Sequence, residues 1–426
     1  MIIHVVKEGE TPFSIASKYG TDTTLLLRDN GLTPYTSLAV GQAIVITEPE
    51  IIHTVKDGET LYSIAASYGL SVIELLRNNY YLMGNETVYP GQQLVISFYG
   101  GAKPQVNINA YAYTFISNNL LKSTLPYLSF LTPFTYGISE GGGIIDLNDE
   151  IMINLANNYG VKPLMHLSTL NEQGVFSNET ASMIFENPAA ADNLIYQTTR
   201  NIQNKGYYGL DIDFEYINPQ ESFDYAALIK RFAEALNPLG YNVTAALAPK
   251  TSDSQQGQLY EGHNYALIGA NANYVLLMTY EWGYTYGPPL AVAPINNVRR
   301  VLDYAVTRIL PEKIYLGVPT YGYDWTLPYI KGVSKAPSIS NITAVNLAVQ
   351  FGAEILFDEI SQSPWFRYTD YEGREHEVWF EDARSIQAKL SLITEYGLSG
   401  AGYWDLMRPF PQNWLVLNSM FDINNY

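Results

Sequence analysis

Asp211, Asp213 and Glu215 occupy alternate positions in YGLDIDFEY, residues 208–216, with Leu210, Ile212 and Phe214 filling the gaps. Successive side chains of an extended strand point to opposite faces, so the acids share one face and the apolar groups the other. Crowded carboxyls repel one another's charge and retain a proton that isolated ones would lose, which suits general acid chemistry. Two other readings fit the same nine residues: the wet face of an antiparallel strand, or a cluster that binds a divalent cation. The surroundings decide between them.

Eight strand-like runs with helix-length segments between most pairs fill the chain after residue 105: 107–115, 127–138, 162–169, 207–216, 241–249, 274–282, 313–325 and 397–406. This alternation predicts an α/β fold, a (β/α)8 TIM barrel, whose chemistry gathers at the C-terminal ends of the strands. A doubly wound sheet is the rival, but no GxGxxG loop follows an early strand. In a barrel the acids of strand 4 face the lumen. MTYEW (278–282), GVPTYGYDW (317–325) and YWDL (403–406) end strands 6, 7 and 8 beside them. Carboxyls that can protonate a glycosidic oxygen and aromatic planes that stack on pyranose rings make this a sugar site. Tyr111 and Tyr113 alternate on strand 1, and Tyr113 is a candidate for the cleft wall, although core packing explains both as well. Taken singly, Trp325 or Trp404 reads more readily as barrel packing than as a sugar platform, and within these motifs the balance reverses. His166 and His263 match no motif and read as structural. The long stretch between Trp325 and the last strand holds short strands and a helix, an α+β insertion over 326–384 that would wall the cleft.

The first hundred residues repeat. IIHVVKEGETPFSIASKYG at 2–20 returns as IIHTVKDGETLYSIAASYG at 51–69, and each copy closes on GQ and a β-branched run, GQAIVI and GQQLVI. Each unit reads as βααβ, with Thr11 and Thr60 capping the first helix, Asp22 and Ser71 the second, and Gly20 and Gly69 at left-handed helix ends. The expected organisation is a module at 1–48, a second at 49–98, a Gly- and Pro-bearing hinge at 99–105, and the barrel at 106–426.

Acidic side chains number 42 against 24 basic ones, a net charge of −18 without a long basic cluster, which argues against nucleic acid. The absence of cysteine excludes disulfides and thiolate chemistry, and five scattered histidines offer no zinc spacing. No apolar run is long enough to span a membrane, and MIIHVVKEGE lacks the basic-then-apolar pattern of a signal peptide. Tyrosine, at 35 residues, suits sugar stacking.

Both repeats resemble LysM modules, through the GET–SIA–YG run, the LLR–N stretch and the closing GQ–I. That family binds N-acetylglucosamine-containing glycans such as peptidoglycan and chitin. The resemblance implies grooves formed by Gly9, Glu10, Thr11 and Pro12 with Gly31 and Leu32, and by Gly58, Glu59, Thr60 and Leu61 with Tyr80, Tyr81 and Leu82. The modules carry 10 acidic and 5 basic side chains, so binding would rest on hydrogen bonds and apolar contact rather than charge attraction.

Residues 104–426 resemble glycoside hydrolase family 18. The family's DGxDxDxE matches Gly209–Glu215, its MTYD matches Met278–Glu281, its GxPxYGxxW matches Gly317–Trp325, and its strand 8 tryptophan is Trp404. The resemblance implies Glu215 as general acid and then base, Asp213 as the group that orients and charges the substrate's N-acetyl group, and Asp211 as the one that sets the protonation of Asp213. Tyr280 would hydrogen-bond the acetamido oxygen, Trp404 would floor the subsite, and Met278, Glu281, Trp325 and Tyr113 would add substrate contacts. It further implies a retaining mechanism in which the acetamido oxygen attacks the anomeric carbon, giving an oxazolinium ion, with no cofactor and no metal. Two positions depart from the pattern: Tyr208 stands for the first Asp of the strand motif, and Glu281 for the Asp of MTYD. Module order and length resemble the spore cortical fragment-lytic enzymes of endospore-forming bacteria. That implies an N-acetylglucosaminidase of cortex peptidoglycan in the coat and cortex region of the spore. A chitinase-type hydrolase and a glycan-binding protein without turnover are the alternatives.

Overall fold

Eight parallel strands close on themselves: β1 Gln105–Tyr113, β2 Phe130–Phe134, β3 Lys162–Ser168, β4 Gly209–Asp213, β5 Asn242–Leu247, β6 Tyr274–Leu277, β7 Ile314–Pro319 and β8 Gly400–Trp404, with β8 paired back onto β1. The computed structural model describes residues 1–426. Helices surround the barrel, and the one that feeds β4 shows why they form. Pro188–Lys205 is capped by Asn187, whose side chain accepts from the Ala189 and Ala190 amides, and it ends at Gly206 with φ 74°. Its buried Ala190, Leu194, Thr198 and Ile202 recur every fourth residue, the face that packs on the sheet. On β4 itself Leu210 and Ile212 point out to the helices, as does Phe214 just beyond the strand, and each is fully buried. Inside the barrel Tyr111, Phe130, Leu164, Ala246, Leu276 and Tyr315 fill the lumen beneath the strand ends.

Three boundaries differ from the sequence expectation. β4 stops at Asp213 and β6 at Leu277, so Glu215, Tyr280 and Glu281 belong to the loops that follow rather than to the strands. The run 313–325 is two strands, broken at Thr320. Pro319 cannot donate to a further ladder bond. Thr320 instead donates its N–H to the Trp404 carbonyl at 3.1 Å and its hydroxyl to that of Asp405 at 2.5 Å. Tyr321–Thr326 then joins an antiparallel five-stranded sheet with Ser338–Ser340, Glu375–Trp379, Ser363–Thr369 and Leu356–Asp358, covered by the helix Asn341–Phe351. The inserted unit therefore opens at 321 rather than 326, and Trp325 belongs to its sheet.

Each N-terminal module pairs two antiparallel strands, Ile2–Val5 with Ala43–Ile46 and Pro49–Thr54 with Gln93–Phe98, around two short helices. Thr11 and Thr60 accept from the Ser14 and Ser63 amides, and both serines return the bond, so each first helix opens with a capping box. The modules do not hang from a free hinge. Val45, Leu61, Leu75 and Leu82 belong to the same apolar core as the barrel. Arg77 donates its Nε–H to the Pro126 carbonyl at 2.8 Å and its backbone carbonyl accepts the Tyr127 hydroxyl at 2.6 Å, while Gln412 reaches the Ala43 carbonyl at 2.8 Å. No helix is long and apolar enough to cross a membrane.

Candidate active site

At the C-terminal mouth of the barrel lies a cavity of about 290 Å³ lined by Asp213, Glu215, Met278, Tyr280, Glu281, Tyr113 and Trp404. Seven of the nine barrel residues singled out by sequence thus meet there. Asp211 sits directly beneath, fully buried, and accepts the Tyr111 hydroxyl at 2.9 Å. Trp404 packs edge-on against Phe134, 4.9 Å between ring centres, and lies 6.0 Å from Tyr113, so its plane is fixed before any ligand arrives. Phe134, Phe176, Pro249, Leu259, Tyr260 and Trp282 complete the lining and went unread in the sequence. Trp282 alone carried a signal, as the last letter of MTYEW.

Loss of water on folding pushes the Glu215 carboxyl up to about 8, and the neighbouring charges of Asp213 and then Glu281 add to the shift. Asp211 rises to about 6, again by burial, held back by His166 and the Tyr111 hydroxyl and raised by Asp213. Glu215 therefore keeps its proton to higher pH than Asp211 does. Backbone strain marks the same two loops: Tyr216 (φ 57°) follows Glu215, and Glu281 (φ 67°) follows Tyr280, both in the left-handed region that side chains avoid. His263 holds this geometry from behind. Its Nδ1 accepts the Ala248 N–H at 2.8 Å, so its Nε2 carries the hydrogen donated to the Phe214 carbonyl at 3.0 Å, between Asp213 and Glu215.

Glu281, one methylene longer than the family's aspartate, reaches sideways into the inserted sheet. It accepts the hydroxyls of Tyr321 and of Tyr323, the latter at 3.0 Å. Trp325 does not join the cavity. It is 1% exposed, donates its indole N–H to the Gly287 carbonyl at 2.8 Å, and packs inside the inserted unit. Tyr208 lies at the opposite end of the barrel, its ring near Phe130 and Tyr426, which separates that departure from the chemistry. His166, read as structural, stands inside the barrel with Nε2 at 3.5 Å from Asp213.

The module candidates divide. Gly9 and Gly58 sit in exposed loops. Glu10 and Glu59 are committed inward, accepting the Lys7 and Lys56 amides and hydrogen-bonded to His4 and His53 at 2.7 Å. Thr11 and Thr60 are helix caps, with Pro12 and Leu61 as the first helical residues. Leu61, Tyr80 and Leu82 are buried, Tyr80 against the barrel's Tyr127, and so are not free to meet a glycan. Tyr81 lies under the Arg28 guanidinium of the other module at 3.8 Å. Gly31 abuts Pro411, and Leu32 borders the same seam between module 1 and the barrel. Docking on the barrel has consumed much of the second loop of both modules.

A closed barrel with a carboxyl tuned to give up a proton, beside an aromatic floor at the strand ends, defines a glycosidase. The chain belongs to the glycosyl hydrolases of family 18, whose sequence profile matches residues 153–408, and carries LysM domains at 4–47 and 53–97. It is 40% identical to the cortical fragment-lytic enzyme of Bacillus subtilis (strain 168) over 99% of each chain. Two solved structures superpose along its whole length. The spore cortex-lytic enzyme SleL of Bacillus cereus matches with TM-score 0.85 at 33% identity, covering 98% of that chain. SleL of Bacillus megaterium QM B1551 matches with TM-score 0.83 at 36% identity, covering 99%.

Proposed function

We propose that this glycosidase cleaves the β-1,4 bond after N-acetylglucosamine in spore-cortex peptidoglycan and its fragments during germination, in the coat and cortex region of the spore. One observation carries the chemistry: a single carboxyl, Glu215, that holds its proton at neutral pH above Asp211, which ionises first. In this reading Glu215 protonates the leaving oxygen, and the substrate's acetamido oxygen attacks the anomeric carbon with retention. Asp213 and Tyr280 hold the acetamido group as it becomes a cation, while Asp211 governs the charge on Asp213. Trp404 floors the sugar, with Tyr113, Met278 and Glu281 beside it. Glu215 then takes a proton from water as the oxazolinium opens. The full-length likeness to cortical fragment-lytic enzymes supports the substrate. The modules hold the enzyme on the polymer through the surface that docking leaves open, the Gly9 and Gly58 loops beside exposed Phe13 and Tyr62.

Digestion of cortex fragments and chitin oligomers in parallel, with products weighed by mass spectrometry, tests the substrate. Muropeptides ending in reducing N-acetylglucosamine are expected, and release from chitin alone would overturn the cortex assignment. The pH profile follows from the acids. Glu215 must hold its proton, so activity falls as pH rises through about 8. Asp211 must be charged, so activity falls as pH drops through about 6. A bell-shaped kcat/KM with its maximum between these limits is expected. A rate still climbing above pH 9 would remove Glu215 as the acid.

A further inference from the structure

His166 is fully buried on β3, and its two ring nitrogens have unequal surroundings. Nδ1 lies 2.6 Å from the Thr135 hydroxyl, which is itself within reach of the Tyr136 carbonyl at 3.0 Å and the Ser168 hydroxyl at 2.9 Å. A carbonyl can only accept, so when the Thr135 hydrogen goes there or to Ser168, Nδ1–H donates to Thr135. Nε2 has no hydrogen-bond partner and faces only carboxylate, Asp213 Oδ2 at 3.5 Å and Asp211 Oδ2 at 3.8 Å. One oxygen on each of these acids, Oδ1, is also buried without a partner. A bare nitrogen lone pair aimed at carboxylate oxygens repels them, whereas an N–H attracts them.

We propose that His166 is a positioning residue for the reaction: its Nε2 holds, as an imidazolium, the proton that the Asp211–Asp213 pair would otherwise take up, leaving Asp213 anionic beneath the acetamido group. This rests on the substrate-assisted reaction proposed above. Asp211 and Asp213 face the ring from β4. From β1, Tyr111 meets it edge-on at 5.6 Å and gives its hydroxyl to Asp211. Phe134 lies 4.7 Å away at the end of β2, next to Thr135, and Ser168 ends β3. His263, behind β4, is fixed in its neutral form by Ala248 and Phe214. No lysine or arginine pairs with either acid, so His166 is the one group that can bring positive charge to them. The proton stays within the cluster: when Asp213 is anionic it resides on Nε2, and when Asp213 is protonated Nε2 is bare. As positive charge grows on the substrate, the negative charge opposing it is thus already formed.

Nitrogen-15 NMR of histidine-labelled protein reads this directly, the His166 signal being the one lost in His166→Gln. Both ring nitrogens are expected to be protonated at pH 7, a hydrogen on Nε2 alone counting against the imidazolium, and the titration midpoint is expected to fall by about one pH unit or more in Asp213→Asn, where the attracting charge is gone. In turnover, His166→Gln should lower kcat about 100-fold with KM little changed. It should also move the acidic limb of the pH profile upward by about one unit, because the acids then keep their proton to higher pH. A merely structural histidine would not move that limb. An Nε2 that is bare throughout pH 5–8, or an acidic limb unmoved in folded His166→Gln, overturns the proposal. If the wild type fails to release any N-acetylglucosaminyl product, the reaction reading falls, and the NMR arm still decides where the proton sits.

Discussion

Glu215→Gln is expected to lower kcat by roughly 10²–10⁴-fold while leaving KM nearly unchanged, and to make the protein more stable at alkaline pH. The first half follows from geometry. Glu215 is the acid pushed up to about 8 that lines the cavity beside Asp213, and the sugar's other contacts, Trp404, Tyr280 and Tyr113, are untouched by the change. The second half follows from linkage. A carboxyl raised from 4.5 to about 8 on folding binds its proton more tightly in the folded chain than in the unfolded one. Stability therefore falls as pH rises through that window, since the fold must then hold an unfavourable buried charge. Glutamine keeps the shape without the charge, so the variant should melt with the wild type at pH 4 and above it at pH 9. Melting curves at those two values, read beside initial rates on cortex fragments, check both halves. Equal melting at pH 9 would mean that Glu215 ionises without penalty, and the acid assignment would lose its physical basis. An active site that sacrifices stability for a poised proton is the ordinary trade between the two.

The carboxylate ladder was legible because a strand repeats every two residues, so Asp211, Asp213 and Glu215 declare a shared face without any tertiary knowledge. The wet-strand reading falls with the barrel, since Asp211 and Asp213 point into a lumen packed below by Tyr111 and Tyr315. Trp325 was misjudged for a related reason. GVPTYGYDW reads as one continuous run through Thr320, and only the capture of that residue by the Trp404 and Asp405 carbonyls splits it into two sheets. Phe176 and Tyr260 come from loops after β3 and β5 that carry no periodicity, and nothing local brings them to the cavity. His166 resembled a lone core histidine because its partners sit 45 and more residues away on another strand. Tyr80 and Leu82 show the limit from the other side. The resemblance to LysM modules placed them in a binding groove, but the packing of a module on the barrel leaves no periodic mark, and both residues are buried.

Gly41 links this docking to the active site. Its φ is +83°, and a Cβ built there would lie 1.8 Å from the Ile355 carbonyl oxygen of the inserted unit. Close by, the Ile355 N–H donates to Val40 at 2.8 Å and Ala39 enters the insertion's own core beside Phe366 and Phe380. That core backs the sheet whose Tyr321 and Tyr323 hold Glu281. Module 1 thus braces the wall of the cleft, beside the hold on polymer proposed for it. The repeat supplies an internal control. Gly91 is the equivalent residue of module 2, with φ +84°, yet nothing lies within 4 Å of its would-be Cβ. Gly91→Ala should cost only the left-handed backbone penalty, about 1–2 kcal/mol. Gly41→Ala adds a collision with backbone that cannot rotate away, a further 1–3 kcal/mol or so by the usual scale of overpacking. Hydrogen exchange should show the Ile355 amide losing protection in Gly41→Ala and keeping it in Gly91→Ala. KM for a small soluble substrate should rise in the first variant alone, because Glu281 loses its fixed partners. If both variants lose the same stability and bind the soluble substrate equally well, module 1 is a tether that merely rests on the barrel. If they diverge, removing the modules measures two things at once, loss of hold on the polymer and loss of support for the cleft, and only the paired glycine variants separate them.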